Sequence, residues 1–193
     1  MKTELKTLQD LSIYRPDWFF ARRTGAGLIA EAYRTSPLTS IKVRLDTNSN
    51  SRAIRTDPLA ITEMLEEVLV ADQMNNLGIQ VIKPEGEGVY AVPLRTIRRP
   101  GTIWTPELVP AIVAPYVNGT LLEKVPKEMQ PALYHRASLE FEQRIKRAGF
   151  KSRTDKPYDF LANILWVPEK KGKGPGKMYF VGLGHLLPLE KGN

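Results

Sequence analysis

The stretch DPLAITEMLEEVLVADQMNNLG, residues 57–78, is the clearest secondary-structure element in the sequence. Asp57 is a favoured N-cap, and Pro58 at the first helical position loses only an N–H that would have no partner. Gly78 is the residue type that ends helices in the left-handed conformation. Apolar residues recur between them at helical spacing: Ile61, Met64, Leu65, Val68 and Ala71. We therefore predict an amphipathic helix over 58–77, with these acidic residues largely off its apolar stripe: Glu63, Glu66, Glu67 and Asp72.

Short β-branched and apolar runs lie on both sides of this helix. They predict strands at 28–34 and 40–45 before it, and at 79–82, 88–94 and 111–116 after it. The second half predicts a long amphipathic helix over 130–148, ended by Gly149, and then a hairpin of the runs 160–167 and 178–181. This order of elements predicts an α+β fold with two lobes.

Composition excludes several classes of site. The 193 residues contain 28 Lys and Arg against 21 Asp and Glu, a net charge of +7, and no cysteine. Disulfides, thiolate zinc sites, iron–sulfur clusters and cysteine nucleophiles are thereby excluded. The N-terminal sequence MKTELKTLQDLS has no signal-peptide core, and no window has the roughly 18 apolar residues of a membrane span. We expect a soluble, cytoplasmic protein with no membrane partner.

Seven short motifs follow one another in a recognisable order. GAG at 25–27, IAEAY at 29–33, IKV at 41–43 and the helix at 58–77 come first. APYVNG at 114–119, DFLANILW at 159–166 and YFVGLGH at 179–185 follow. This order resembles the protein-kinase-like fold, especially its small bacterial and lipopolysaccharide-kinase-like members. The resemblance implies an N-terminal arm at 1–19, an N-lobe-like sheet with one long helix at 20–118, and a reduced C-lobe-like part at 119–193.

The resemblance also implies a nucleotide site, with ATP and Mg²⁺ as its cofactors. Gly25 and Gly27 would lie in the glycine-rich loop, and Lys42 would contact the phosphates. A helix glutamate fixes that lysine, and Glu66 and Glu67 are the alternatives for it. Asn163 falls at the metal-binding position that ends the catalytic loop.

The sequence departs from the family at the positions that carry the chemistry. The catalytic aspartate is expected five residues before Asn163, where this chain has Tyr158, and Asp159 and Asp155 are the nearest alternatives. Gly182 stands where the metal-binding Asp-Phe-Gly motif should begin. The leading hypothesis is a degenerate, truncated pseudokinase, a regulatory module that acts through a protein partner with or without nucleotide. The alternative from the enzyme class is an atypical ATP-dependent phosphotransferase.

Clusters of basic residues lead to a third hypothesis. One cluster lies in RTIRRPG at 95–101, and another lies in the predicted hairpin tip EKKGKGPGK at 169–177. They supply these candidates for polyanion binding: Arg95, Arg98, Arg99, Lys170, Lys171, Lys173 and Lys177. Such runs are usually solvated faces. A nucleic-acid-associated or complex-assembly protein is nevertheless an alternative to the pseudokinase.

Overall fold

The predicted central helix is present, and both of its ends have the predicted stabilising features. A computed structural model of the protein describes residues 5–18, 21–26, 30–46, 53–94, 107–152, 162–169 and 174–188. In it, helix α1 spans Pro58–Asn76. The Asp57 Oδ1 atom accepts a hydrogen bond from the Ala60 N–H at 3.0 Å. Gly78 has a φ of 72°, the left-handed conformation expected just after a helix.

A five-stranded antiparallel sheet forms the first of two compact units, which comprises Met1–Val68 and Pro84–Tyr116. Its strands are β1 Arg22–Ala26, β2 Ala30–Arg34, β3 Thr39–Arg44, β4 Val89–Leu94 and β5 Glu107–Pro115. The order across the sheet is β1-β2-β3-β5-β4. In this register Lys42 of β3 lies between Ala32 of β2 and Ile112 of β5. Lys42 therefore stands on the middle strand of the sheet.

The two faces of this sheet contribute to two separate apolar clusters. One cluster includes α1 residues together with sheet residues: Leu11, Ile61, Met64, Val89, Ala91 and Ile112. The other cluster covers the opposite face: Tyr33, Ile41, Val43, Val92, Leu94, Val109, Ala111 and Val113. Neighbouring residues of a strand point to opposite faces. Lys42 and Arg44, which alternate with Ile41 and Val43, therefore lie on the face that α1 covers.

Helix α1 is turned slightly from the orientation that its apolar stripe predicts. Ile61 and Met64 are fully buried, whereas Leu65 and Val68 are only partly buried against the same cluster. Glu67, predicted to lie off the stripe, is buried. The buried face of the helix thus includes one carboxylate, which must have partners to offset its lost hydration.

The second unit comprises Leu69–Lys83 and Val117–Asn193. Its elements are β6 Thr120–Leu121, α2 Gln130–Ala137, α3 Gln143–Arg147, β7 Phe150–Ser152, β8 Ile164–Val167, β9 Lys177–Phe180 and β10 Leu186–Pro188. They form a three-stranded sheet β6-β8-β9 and a two-stranded sheet β7-β10. One π-helical turn, Ser138–Glu142, lies between α2 and α3 within the predicted 130–148 helix. None of the helices in the described ranges is long and apolar enough to cross a membrane.

The predicted strand at 79–82 does not form, and only one bridge stands in its place. Val81 pairs in parallel with Phe180, and the Phe180 N–H donates to the Gln80 carbonyl at 2.9 Å. Pro84 follows closely and has no backbone N–H with which to extend the pairing. Ile79 and Val81 are buried in the second unit's core although their segment does not become a strand.

We expect Met64→Ala to lower the free energy of unfolding by about 2–5 kcal/mol, because truncation of a buried Met leaves a cavity. Leu65→Ala should cost clearly less, since Leu65 is only partly buried. Urea denaturation of the two variants measures both values. If Leu65→Ala lowered the free energy of unfolding as much as Met64→Ala or more, the helix would not be oriented with Met64 buried and Leu65 at the edge of the cluster.

Stability should also depend on pH through Asp57. The hydrogen bond from Arg55 and, more weakly, the one from the Ala60 N–H hold the pKa of Asp57 at about 2, below its ordinary 3.8. A lowered pKa in the folded state stabilises the fold above pH 3.8, and this contribution is lost as pH falls towards 2. Asp57→Asn should therefore be less stable than the parent protein at pH 6, and the difference should shrink between pH 4 and 2. Because Asn is also a good N-cap, a difference that persists unchanged at pH 2 would show that the carboxylate charge is not its cause.

Candidate functional site

Lys42 and Glu67 form an ion pair between strand β3 and helix α1. The Lys42 Nζ atom donates to the Glu67 Oε1 atom. The Lys42 side chain is 28% exposed, whereas that of Glu67 is 5% exposed. Glu66, the other predicted partner, is exposed to solvent. The prediction that Lys42 pairs with one of these two glutamates is confirmed, and the partner is Glu67.

Arg44 binds the second oxygen of the same carboxylate. Its Nη2 atom lies 3.0 Å from the Glu67 Oε2 atom, and its side chain is 6% exposed. The Arg44 Nε atom is buried and has no hydrogen-bond acceptor within the part of the chain that the structure describes. Sequence reasoning did not single out Arg44. Its spacing of two residues from Lys42 along a strand was the signal that both side chains share a face. We call Lys42, Arg44 and Glu67 the ion triad.

Gly25 lies in strand β1 beside an irregularity of register between Arg23 and Gly25. A β-carbon at position 25 would lie 3.8 Å from that of Ala32, which is ordinary contact. The packing of the fold therefore does not itself require glycine at this position. Gly27 lies outside the described residues, so the glycine-rich loop as a phosphate site stays a prediction.

In the second unit, Asn163 and Gly182 lie against each other. The Val181 N–H donates to the Asn163 carbonyl at 2.8 Å. A β-carbon built on Gly182 would collide with the Asn163 side chain. The side chain of Asn163 thus fills the space that any side chain at position 182 would need.

Tyr116, the last residue of the strand predicted at 111–116, makes its ring contacts within the first unit. The Tyr116 ring lies under the Arg34 guanidinium, with 4.3 Å between the guanidinium carbon and the ring centroid. The Trp18 ring lies 5.3 Å from the same carbon. Arg34 also donates to the carbonyl oxygens of Ser36 and Pro37. Tyr116 therefore has a packing role in which cation–π attraction joins two aromatic rings through one arginine.

Several predicted site residues fall outside the described part of the chain. Those of the catalytic loop are Asp155, Tyr158 and Asp159. Those of the basic clusters are Arg95, Arg98, Arg99, Lys170, Lys171 and Lys173. Lys177 is described and is exposed at the start of β9. The catalytic and polyanion-binding roles of these residues stay predictions.

The two cofactors that the resemblance implies differ in how well they fit these residues. Phosphate oxygens fit the ion triad, because an ammonium has three donors and Lys42 uses one of them on Glu67. A magnesium ion does not fit position 182, which carries no ligand and whose side-chain space Asn163 fills. The described residues also contain no group of three or more His, Cys, Asp or Glu able to hold a metal. We therefore derive no step through a metal ion.

No protein-family model and no curated protein matches this sequence. The structure is similar to that of Rio2 kinase from Chaetomium thermophilum, solved as an ADP/Mg²⁺-phosphoaspartate complex, with a TM-score of 0.55 and 13% sequence identity. The similarity covers 91% of this chain and 50% of that kinase chain, so this chain spans half the length of its structural neighbour. The chain has an α+β, protein-kinase-like fold, as the order of its motifs predicts.

Proposed function

We propose that this protein is a pseudokinase, which binds the phosphates of a nucleotide at Lys42, transfers no phosphoryl group, and acts through a protein partner. One observation carries the proposal. The buried carboxylate of Glu67 holds Lys42 in place, while position 182 lacks the metal-binding side chain. The lysine and glutamate expected for binding are thus present and paired, whereas the carboxylate expected to hold the metal is absent.

The environment of Lys42 supports a binding role. A lysine on a middle strand has a fixed backbone, and its bond to Glu67 fixes its ammonium group as well. Burying a carboxylate costs hydration free energy. A glutamate whose only role was to join β3 to α1 would therefore be an unfavourable way to stabilise the fold. A compact positive charge on a rigid strand suits the α and β phosphates of a nucleotide. The similar Rio2 kinase was solved with ADP bound, which favours a nucleotide as the ligand.

The lack of a carboxylate at position 182 argues against phosphoryl transfer. In kinases the metal ions neutralise the charge that develops on the β and γ oxygens, and an aspartate at this position holds one of them. Gly182 supplies no ligand, and Tyr158 occupies the position expected for the catalytic base. A nucleotide bound at Lys42 would therefore lack a carboxylate ligand for its metal at position 182 and a proton acceptor at position 158.

A module that binds without catalysis acts by contact with other molecules. The net charge of +7 favours a partner with an acidic surface, because opposite charges accelerate encounter and orient it. A protein partner fits a kinase-like module better than nucleic acid does, since no nucleic-acid-binding motif is present in the sequence.

We expect ATP or ADP to raise the thermal unfolding midpoint of the parent protein, because the ligand binds the folded state. The stabilisation is about 2.7 kcal/mol at a hundredfold excess over Kd. Lys42→Met should abolish this shift, while Arg44 still pairs with Glu67 and maintains the fold. Lys127→Gln, which removes the same charge from an exposed turn, is the matched control and should keep the shift.

Assays of phosphate release separate the pseudokinase from the atypical phosphotransferase. The parent protein should release no phosphate from ATP above the level of Lys42→Met, with Mg²⁺ or with Mn²⁺. Metal-dependent release that disappears in Asp159→Asn would contradict the proposal and assign an enzyme.

Gly182→Ala should destabilise the protein by about 1–3 kcal/mol, the usual cost of overpacking, because its methyl group collides with Asn163. Gly25→Ala, where the new methyl group makes ordinary contact, should change the stability little. Urea denaturation compares the two. If Gly182→Ala were as stable as the parent, the Asn163 side chain would not be what keeps a side chain out of position 182.

A further inference from the structure

Two cations share the single carboxylate of Glu67. Its Oε1 atom accepts from Lys42, and its Oε2 atom lies 3.0 Å from the Arg44 Nη2 atom. Two cationic side chains thus face one anionic side chain. The ion triad therefore carries a net charge of +1, whereas a simple lysine–glutamate pair is neutral.

The ion triad carries this excess charge in a place that is largely shielded from solvent. The side chains of Arg44 and Glu67 are 6% and 5% exposed, and Lys42 is the most exposed of the three at 28%. The buried Arg44 Nε atom lacks an acceptor in the described ranges. An excess buried cation and an unpartnered donor are both unfavourable, and an anion bound at Lys42 would reduce the electrostatic part of that cost.

Two acidic groups near the amino end of α1 pair with a different cation, Arg55. Glu63, one helical turn before Glu67, and Asp57 both pair with Arg55, at 3.3 Å and 2.8 Å. That second cluster carries a net charge of −1 and lies at the amino end of α1, where the helix dipole favours negative charge. Its carboxylates are therefore paired with Arg55 rather than with a cation of the ion triad.

We propose that Arg44 makes the phosphate site independent of a divalent metal, so that the protein binds nucleoside di- or triphosphates in their metal-free, fully anionic form. This inference rests on the proposed function, since it concerns the same site. By taking one oxygen of Glu67, Arg44 leaves part of the Lys42 charge available to the phosphates. It acts through Glu67 and Lys42 and is thus a positioning residue. The charge that Mg²⁺ supplies in other phosphate sites is supplied in this protein by a buried guanidinium.

The test is calorimetric titration of ATP in the presence of EDTA and, separately, of excess Mg²⁺. The parent protein should bind ATP in EDTA at least as tightly as it binds ATP with Mg²⁺. Arg44→Gln should weaken the binding in EDTA by about tenfold or more, since a unit charge near the phosphates is lost. Binding with Mg²⁺ should weaken less, because the metal has already reduced the charge of the ligand. Arg44→Lys, which keeps the charge, should preserve most of the binding in EDTA.

Arg15→Gln is the matched control, since it removes an exposed arginine from the same unit and should leave both affinities unchanged. Thermal unfolding of each variant without ligand shows whether it folds, and if Arg44→Gln does not, the parent and Arg44→Lys titrations still decide. Binding by the parent protein only with Mg²⁺ would overturn this inference while the proposed nucleotide site stands. Metal-free binding that Arg44→Gln leaves intact would overturn it in the same way. No binding of ATP under either condition would overturn both.

Discussion

The carboxylate of Glu67 joins strand β3 to helix α1, and the geometry of the candidate site depends on this one group. Its position is set by apolar packing, because Ile61 and Met64 seat the helix against Val89 and Ile112. Successive helix residues differ in direction by about 100°. A rotation by one residue would turn Glu67 away from the sheet and bring Glu66 towards it. The ion triad is therefore a consequence of how the helix packs. The apolar packing and the two ion pairs together have to offset the cost of burying the Glu67 carboxylate.

Much of the fold was predictable, because its elements have local causes. The N-cap at Asp57, the terminating Gly78 and the 3.6-residue spacing between them predict α1 almost to the residue. The run at 79–82 shows that local sequence signals alone do not predict whether a strand forms. Its residues suit a strand, but a strand needs a neighbour with free backbone groups along its length, and pairing partners come from elsewhere in the chain. The π-helical turn at Ser138–Glu142 likewise has no signature in the amphipathic pattern.

The candidate site was predictable only in part, and for a different reason. Lys42 was found through its place in a resemblance, whereas the choice between Glu66 and Glu67 depended on a rotation of α1 that apolar spacing does not resolve. A periodicity argument places charges outside, so a buried glutamate is the residue that it will misplace. Arg44 was missed because an arginine at the end of a strand is usually a solvated residue. Its burial follows from the tertiary structure of the sheet and helix.

Position 182 and the ion triad differ in whether they leave a group available to a ligand. At position 182 a β-carbon would collide with the Asn163 side chain, so the space that a side chain there would need is occupied. In the first unit the Glu67 carboxylate pairs with two cations, Lys42 and Arg44. A phosphate chain carries several negative charges, and a protein that holds it without a metal has to balance them with its own side chains. Arg44 adds positive charge without adding an exposed basic group, because its partner is a carboxylate that is itself buried.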